Sequence, residues 1–311
     1  MDSIALAAEA VKYEFPNIIF KPDEPLKHYT TFKIGGPVSV MFFPENTAGL
    51  VGICNILKKK SISPLILGNG SNILASDKKL DLIVINTTKL NGISLKNAED
   101  SGNQGYFDIA ADAGVLLSKL AVFAYENELT GLEFAHGIPG TVGGAVVMNA
   151  GAYGGEMKDV VFGTTGYSIG TGEYVLTAAE NEFSYRHSRF LETGDVVLSA
   201  VLRLKKGDKE DIKRKMDDLS NRRKKSQPLE LPSGGSTFKR PKEGYAAALI
   251  EQAGLRGYTI GDAQVSDKHT GFIVNKGNAT FSDVTAVVEH VKSEVFKQFG
   301  IQLETEIKVV R

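Results

Sequence analysis

Residues 136–156 read "HGIPGTVGGAVVMNAGAYGGE" and hold seven glycines among apolar side chains. No other stretch limits the fold as much. Glycine gives up the most backbone freedom on ordering, so a run this rich in it must offset that loss. A polar run of this kind would be a flexible linker. Ile138, Val142, Val146, Val147 and Met148 argue against a linker. The expectation is an ordered segment whose main chain lies close against a flat or phosphorylated ligand. A purely structural role stays open.

The chain has 311 residues, 42% of them apolar and 23% charged. That length suits about two domains and a sizeable buried core. A formal net charge of -1 argues against a dedicated nucleic-acid or membrane-surface protein. Cys54 is the one cysteine, so no internal disulfide is possible and a reducing compartment fits. "MDSIALAAEAVKYEF" has no basic n-region and is broken by Glu9, Lys12 and Glu14, so it reads as a short amphipathic helix rather than a signal peptide. No apolar run approaches the roughly 20 residues of a membrane span. The expectation is a cytoplasmic protein.

Strands and turns are expected over "KPDEPLKHYTTFKIGGPVSVMFFP". "NTAGLVGICNILKKKSI" is expected to be a helix capped by Asn46 or Thr47. "SPLILGNGSNIL" reads as a buried strand entering a glycine turn, and "LDLIVINTT" as a further strand. Composition shifts near residue 206 to a charged helix with Ile212, Met216 and Leu219 on one face. "TFSDVTAVVEHVKSEVFKQFG" is the clearest helix, with Val284, Val287, Val288, Val291 and Val295 on one stripe and Gly300 closing it. "IQLETEIKVV" alternates as a strand. Ile301, Leu303, Ile307 and Val309 fall on one face; Gln302, Glu304, Glu306 and Lys308 on the other.

Several stretches carry possible chemistry beside a plainer reading. "GNGSN", Gly68 to Asn72, can form an anion-binding nest or an ordinary turn. Ile73 occupies the place of the third glycine in a dinucleotide fingerprint, and the P-loop lysine is absent. "FSYRHSRF" holds Arg186 and Arg189, either a structural loop or a fixed guanidinium for an anion. Glu304 and Glu306 are solvated on a strand's polar face unless a cavity lies there. In "LPSGGSTFKRP", Ser236 misses the nucleophile-elbow pattern because Phe238 stands where the second glycine belongs. The histidines, at 28, 136, 187, 269 and 290, match no metal spacing, so no bound metal is expected. The basic run "NRRKKSQ" suits a helix C-terminus, or offers one arginine to a diphosphate.

In this order, "YTTFKIGG", "LGNGSNIL", "GIPGTVGGAVVMNAGAYGGE", "YRHSRF", "PSGGSTFKRP", "GDAQVSDKHTGFIVN" and "LETEIKVV" resemble the UDP-N-acetylenolpyruvoylglucosamine reductase family over nearly the whole chain. The resemblance implies an α+β fold. Two FAD-binding subdomains of the vanillyl-alcohol-oxidase/PCMH type, 1–80 and 81–206, precede a C-terminal substrate-binding domain, 207–311. It implies non-covalent FAD, held by Gly68, Asn69, Gly70, Ser71 and Asn72, by Gly114, and in the long segment by Ile138, Pro139, Gly140, Thr141, Gly143, Gly144, Ala145, Asn149 and Gly151. "KKSQPLELPSGGS" leaves no room for the tyrosine-bearing loop of one family subtype, so the chain resembles the shorter subtype.

By the same resemblance, NADPH gives a hydride to flavin N5, and the reduced flavin passes it to C3 of the enolpyruvyl group of UDP-N-acetylglucosamine enolpyruvate. Arg186, Ser236 and Glu306 match the family's three catalytic positions. Ser236 would supply the proton to C2, Arg186 would stabilise the enolate-like charge, and Glu306 would have to face that charge protonated, with a raised pKa in the closed complex. Arg223, Tyr185 and Gly235 are the implied substrate contacts. A monomer in peptidoglycan precursor synthesis, with no nucleic-acid or membrane partner, is expected. Two alternatives stay open. One is a flavin oxidase tethering its cofactor through His136 or His187; the other is a non-enzymatic module that binds polyanions through the basic helix.

Overall fold

The computed structural model of the protein describes residues 3–97 and 105–311. Its backbone packs as two compact units. The first comprises Met1–Pro22, Val40–Asn69 and Leu82–Arg222; the second comprises Asp23–Ser39, Gly70–Asp81 and Arg223–Arg311. Composition shifts near residue 206, whereas packing cuts the chain at Arg222. The reason is the apolar stripe of helix Lys209–Ser226, which buries Ile212 and Met216 in a core of the first unit.

The first unit has two cores. One forms on a sheet ordered Ile19–Pro25, Pro37–Phe43, Leu80–Asn86, Leu65–Leu67, with the last two strands parallel. Helices Ser3–Glu14 and Thr47–Lys59 bring Val11, Leu50, Ile53 and Leu57 to Phe42, Ile83 and Ile85. Asn46 caps the second helix by accepting from the Gly49 amide at 2.8 Å. The other core lies on an antiparallel sheet ordered Gly172–Thr177, Val161–Ser168, Val196–Lys206, Tyr106–Asp112, Ile93–Asn97. Ala200, Leu202 and Leu204 are buried at every second position of Val196–Lys206 and pack in this core, whereas Leu198, at a register shift, packs in the other. The two-residue strand period puts those three on one core face.

The second unit carries a sheet ordered Ser233–Ser236, Phe272–Asn275, Ala263–Val265, Thr259–Ile260. Helix Phe281–Phe299 covers it with Val284, Val287, Val288, Val291 and Val295, all buried. Each buried valine contributes about 1.5–3 kcal/mol, which outweighs valine's modest helix propensity. Thr280 and Asp283 form a reciprocal capping box at the start, and Gly300 ends the helix at φ 70°.

The last strand is shorter than its alternation suggests. Only Lys308–Val310 is regular, and it pairs in parallel with Ile73–Ala75. Thr305 instead bridges Phe238. The segment changes partner near Ile307, and Val309 is exposed while Leu303 and Ile307 are buried. No helix among the described residues is long and apolar enough to cross a membrane.

Glu133 is a buried charge, 3% exposed, below the antiparallel sheet. Its carboxylate accepts from the Thr130 hydroxyl at 2.6 Å and the Gly131 amide at 3.0 Å, with Lys215 Nζ at 3.3 Å. Burial pushes the carboxyl up. Thr130, main-chain donors and Lys215 together outweigh burial and hold it below its ordinary value. A depressed folded pKa contributes stability that is present above the unfolded value of about 4.3 and is lost as pH falls through the folded one. Glu133→Gln is therefore expected to cost about 1–3 kcal/mol at pH 7. Urea denaturation of both proteins should show the gap narrowing toward pH 3; a pH-independent gap would refute the assignment.

Candidate active site

The serine strand Ser233–Ser236 is irregular. Ser233 pairs with Val274 and Ser236 with Phe272, so three steps on one strand face two on the other. This bulge re-aims the side chain that follows it. Gly235 supplies the needed φ of +78°, and a Cβ there would meet nothing within 4 Å. Its neighbour differs. A Cβ on Gly234 would stand 2.5 Å from the Phe32 ring, so that glycine is fixed by packing. Thr31 Oγ1 donates to the Ser233 carbonyl at 2.6 Å, and Asn275 Nδ2 donates to the Phe32 carbonyl at 3.0 Å. The "YTTFKIGG" segment thus lies under the serine strand. Ser236 itself is exposed.

Beyond Ser236 the chain joins the C-terminal segment. The Glu306 amide donates to the Thr237 carbonyl at 2.8 Å, Phe238 bridges Thr305, and the Lys239 amide donates to the Glu304 carbonyl at 2.9 Å. Asn72 Nδ2 donates to the Glu306 carbonyl at 3.1 Å, and the Lys308 amide donates to the Asn72 carbonyl at 2.9 Å. Ser236, Glu306 and Asn72 therefore share one neighbourhood of the second unit. Glu304 is exposed and paired with Lys239, whereas Glu306 is half-buried. Of the two glutamates on this segment, Glu306 has the less solvated setting.

In the first unit, Asn69 Nδ2 donates to the Pro139 carbonyl at 2.7 Å and ties the "GNGSN" loop to the long glycine segment. Helix Val142–Val147 opens that segment's centre, but the Val142 and Gly143 amides already donate to the Val115 and Ala113 carbonyls. Several glycines are demanded by the protein itself. A Cβ on Gly114 would stand 1.8 Å from the Thr87 carbonyl oxygen, on Gly143 2.9 Å from Ala113, and on Gly151 2.7 Å from Glu156. Gly144 is different: its space holds only Thr141 Oγ1, at 3.7 Å. Thr141 is 1% exposed, and its hydroxyl makes no hydrogen bond among the described residues. A Cβ on Gly68 would stand 2.3 Å from that same oxygen. Gly68 is thus fixed by packing, and a buried, unpartnered hydroxyl beside the open space at Gly144 is what close approach of a polar, flat group to main chain requires. The residues present fit a flavin there.

Arg186 also belongs to the first unit. Ser184 and His187 exchange backbone hydrogen bonds at 3.1 and 3.2 Å, leaving Tyr185 and Arg186 at the corner of a tight turn. Arg186 has φ +54°, an uncommon region for a residue with a side chain. Its Nη2 donates to the Gly151 carbonyl at 3.3 Å, and its guanidinium lies 5.2 Å from the half-exposed Tyr185 ring. Asn149 holds this turn from beneath. It is fully buried; Nδ2 donates to Glu156 at 2.7 Å and to the Ser184 carbonyl at 2.9 Å, while Oδ1 accepts from the Lys158 amide at 2.9 Å. Sequence spacing carries no mark of this role. Asn149's positive φ of +41° is the one property that a reading of residue type could have anticipated. At the end of helix Lys209–Ser226, Arg222 pairs with Asp218 at 2.9 Å on its own helix, and Arg223 is half-buried.

Residues 227–310 match a family described as the C-terminal domain of UDP-N-acetylenolpyruvoylglucosamine reductase, and residues 38–177 match the FAD binding domain. UDP-N-acetylenolpyruvoylglucosamine reductase of Caldanaerobacter subterraneus is 46% identical over 288 residues, covering 93% of this chain and 92% of the relative. That of Agathobacter rectalis is 44% identical over 306 residues, covering 97% of each. The crystal structure of the Thermus caldophilus enzyme superposes with a TM-score of 0.76 at 34% identity, covering 95% of this chain and 99% of that one. The fold is the α+β, two-subdomain FAD-binding architecture of the vanillyl-alcohol-oxidase/PCMH type with an added C-terminal domain. This chain belongs to the UDP-N-acetylenolpyruvoylglucosamine reductase family.

Proposed function

We propose that this protein reduces UDP-N-acetylglucosamine enolpyruvate to UDP-N-acetylmuramate in peptidoglycan precursor synthesis, with non-covalent FAD and with NADPH as co-substrate. Residues 1–80 and 81–206 would serve the flavin and 207–311 the substrate. The matches over 38–177 and 227–310 support that division. The observation that carries the catalytic reading is the bond from the Glu306 amide to the Thr237 carbonyl, 2.8 Å, which brings the acid beside the serine strand in a chain of this family.

Bound FAD supplies the chemistry of taking a hydride from NADPH and giving it to the substrate's C3. As C3 gains the hydride, negative charge gathers on C2 and the carboxylate. Ser236 gives its hydroxyl proton to C2 and closes the new C–H bond. The serine then regains a proton from the neighbouring acid or from water. A hydroxyl is a weak acid, so it serves only a strongly basic carbon and only when placed well; such a general acid contributes about 10²–10⁴-fold. Arg186 holds a positive charge toward the developing anion. The Gly151 carbonyl and the Tyr185 ring orient its guanidinium, and Asn149 fixes its turn. Glu306 faces the anion carrying a proton, since an ionised carboxylate would repel it. Arg223, half-buried at the end of helix Lys209–Ser226, is assigned to the substrate diphosphate by the family resemblance.

Ser236→Ala is expected to leave bleaching of the flavin band by NADPH intact under anaerobic conditions. Recovery of the band on adding UDP-N-acetylglucosamine enolpyruvate should slow by about 10²-fold or more, and Ser236→Cys should recover part of it. Equal loss of both half-reactions would make the serine structural, and a protein that never binds flavin would end the reading. Asn149→Asp tolerates the same backbone conformation but turns an acceptor toward the Ser184 carbonyl and Glu156. It is expected to lower stability at pH 7 by about 1–3 kcal/mol, with relief as pH falls and a proton is taken up between the two carboxylates. Thermal melts at pH 7 and pH 5 check this; no difference between the two pH values would rule it out.

A further inference from the structure

Ser236 stands between an open position and a tightly packed one. On one side, Gly235 has open space where its side chain would be. On the other, Thr237 is fully buried. The Thr237 amide donates to the Gly271 carbonyl at 2.8 Å, its carbonyl accepts from the Glu306 amide at 2.8 Å, and its Oγ1 accepts from the Ile273 amide at 3.1 Å. One residue thus holds three chain segments, those of Ser236, of Glu306 and of strand Phe272–Asn275.

The side-chain bond is the informative one. Backbone ladders need no hydroxyl, and a valine would fill the same volume. A straight ladder would also send the side chains of successive residues to opposite faces. The serine strand ends in a bend at Thr237, and Lys308–Val310 begins after a bend at Ile307. Through that bend the Ile273 amide takes a side-chain acceptor in place of a main-chain one. Without the hydroxyl, a strand amide next to a fully buried position would lose its partner, and the bend would have no internal reason to keep its shape.

We propose that Thr237 is the positioning residue for the Ser236–Glu306 pair, acting through its hydroxyl oxygen, which fixes the bend that aims Ser236. This rests on the reading of Ser236 as proton donor. Thr237 does not touch the reacting atoms; it sets the distance between the groups that do. Misplacement of a reacting group by about 1 Å costs on the order of 10²-fold, so the effect should fall on the substrate half-reaction alone.

Thr237→Ser and Thr237→Ala both lack the methyl group and differ by one oxygen atom. The test compares them as flavin-loaded enzymes with wild type, Thr237→Val and Ser236→Ala. All should bleach with NADPH at near wild-type rates. Band recovery by the enolpyruvyl substrate should stay within about 3-fold of wild type in Thr237→Ser and fall at least ~10-fold in Thr237→Ala and Thr237→Val. Amide exchange gives a readout apart from activity: the Ile273 and Glu306 amides should exchange faster in Thr237→Ala than in Thr237→Ser. Equal recovery rates and equal exchange in the serine and alanine variants would overturn the proposal. So would equal slowing of both half-reactions in Thr237→Ala. If Ser236→Ala recovers like wild type, the proton-donor reading fails first. If Ser236→Ala collapses while Thr237→Ala and Thr237→Val recover like wild type, only the role of Thr237 falls. Should Thr237→Val not fold, the serine–alanine contrast decides alone.

Discussion

The hydrogen bond between the Glu306 amide and the Thr237 carbonyl is the constraint on which the second unit's site depends. It joins segments about 70 positions apart, and the Asn72 contact to Glu306 spans 234 positions. Closing such loops costs entropy that one or two hydrogen bonds do not offset. The core beneath supplies the difference. Phe32, Phe238, Leu303 and Ile307 are buried in one cluster with the valines of helix Phe281–Phe299. The helix valines, far from any chemistry, thus hold the acid beside the serine strand. Changing partner near Ile307 lets one short segment reach both Thr237 and Asn72, which a continuous strand in a single ladder would not do.

Much of this was legible in the residues. The valine stripe with its terminal glycine, the strand–glycine-turn pattern at Leu65–Asn72 and the apolar stripe of the charged helix all have periods that local physics sets. The C-terminal segment reads in sequence as one strand because its alternation is real: Leu303 and Ile307 are buried, and Gln302 and Glu304 are exposed. Alternation reports which face is buried and says nothing of which neighbour supplies the ladder. Thr237 and Asn149 were illegible as supports for a different reason. Each acts through partners distant in sequence, 36 residues for the Thr237–Ile273 bond and 35 for Asn149–Ser184. No spacing rule encodes such a pairing.

The glycine-rich segment divides into two kinds of glycine once packing is known. Gly114, Gly143 and Gly151 are required because other main chain or side chains already occupy their Cβ positions. Gly68 belongs with them, since a Cβ there would stand 2.3 Å from Thr141 Oγ1. Gly144 is open beside that buried hydroxyl, to which no protein group supplies a hydrogen bond among the described residues. The first kind builds the scaffold; the second leaves space beside the main chain. A count of glycines merges them, which is why composition alone could not choose between a structural and a ligand-cradling segment.

The two units solve the same placement problem in the same way. In the first, Arg186 sits exposed to strain at the corner of a turn, with buried, neutral Asn149 making three hydrogen bonds behind it. In the second, Ser236 follows a bulge, with buried, neutral Thr237 making three behind it. Neither support is itself charged. That choice matters where a transient anion is to be stabilised. A buried ion nearby would carry a desolvation cost and bias the site's field before any substrate arrived. Satisfied neutral groups rigidify a turn without adding net charge. The carboxylate that Asn149 touches, Glu156, is itself paired with Lys158. The strain at Arg186 and the bulge before Ser236 are both held in place by bonds that lie entirely within the protein.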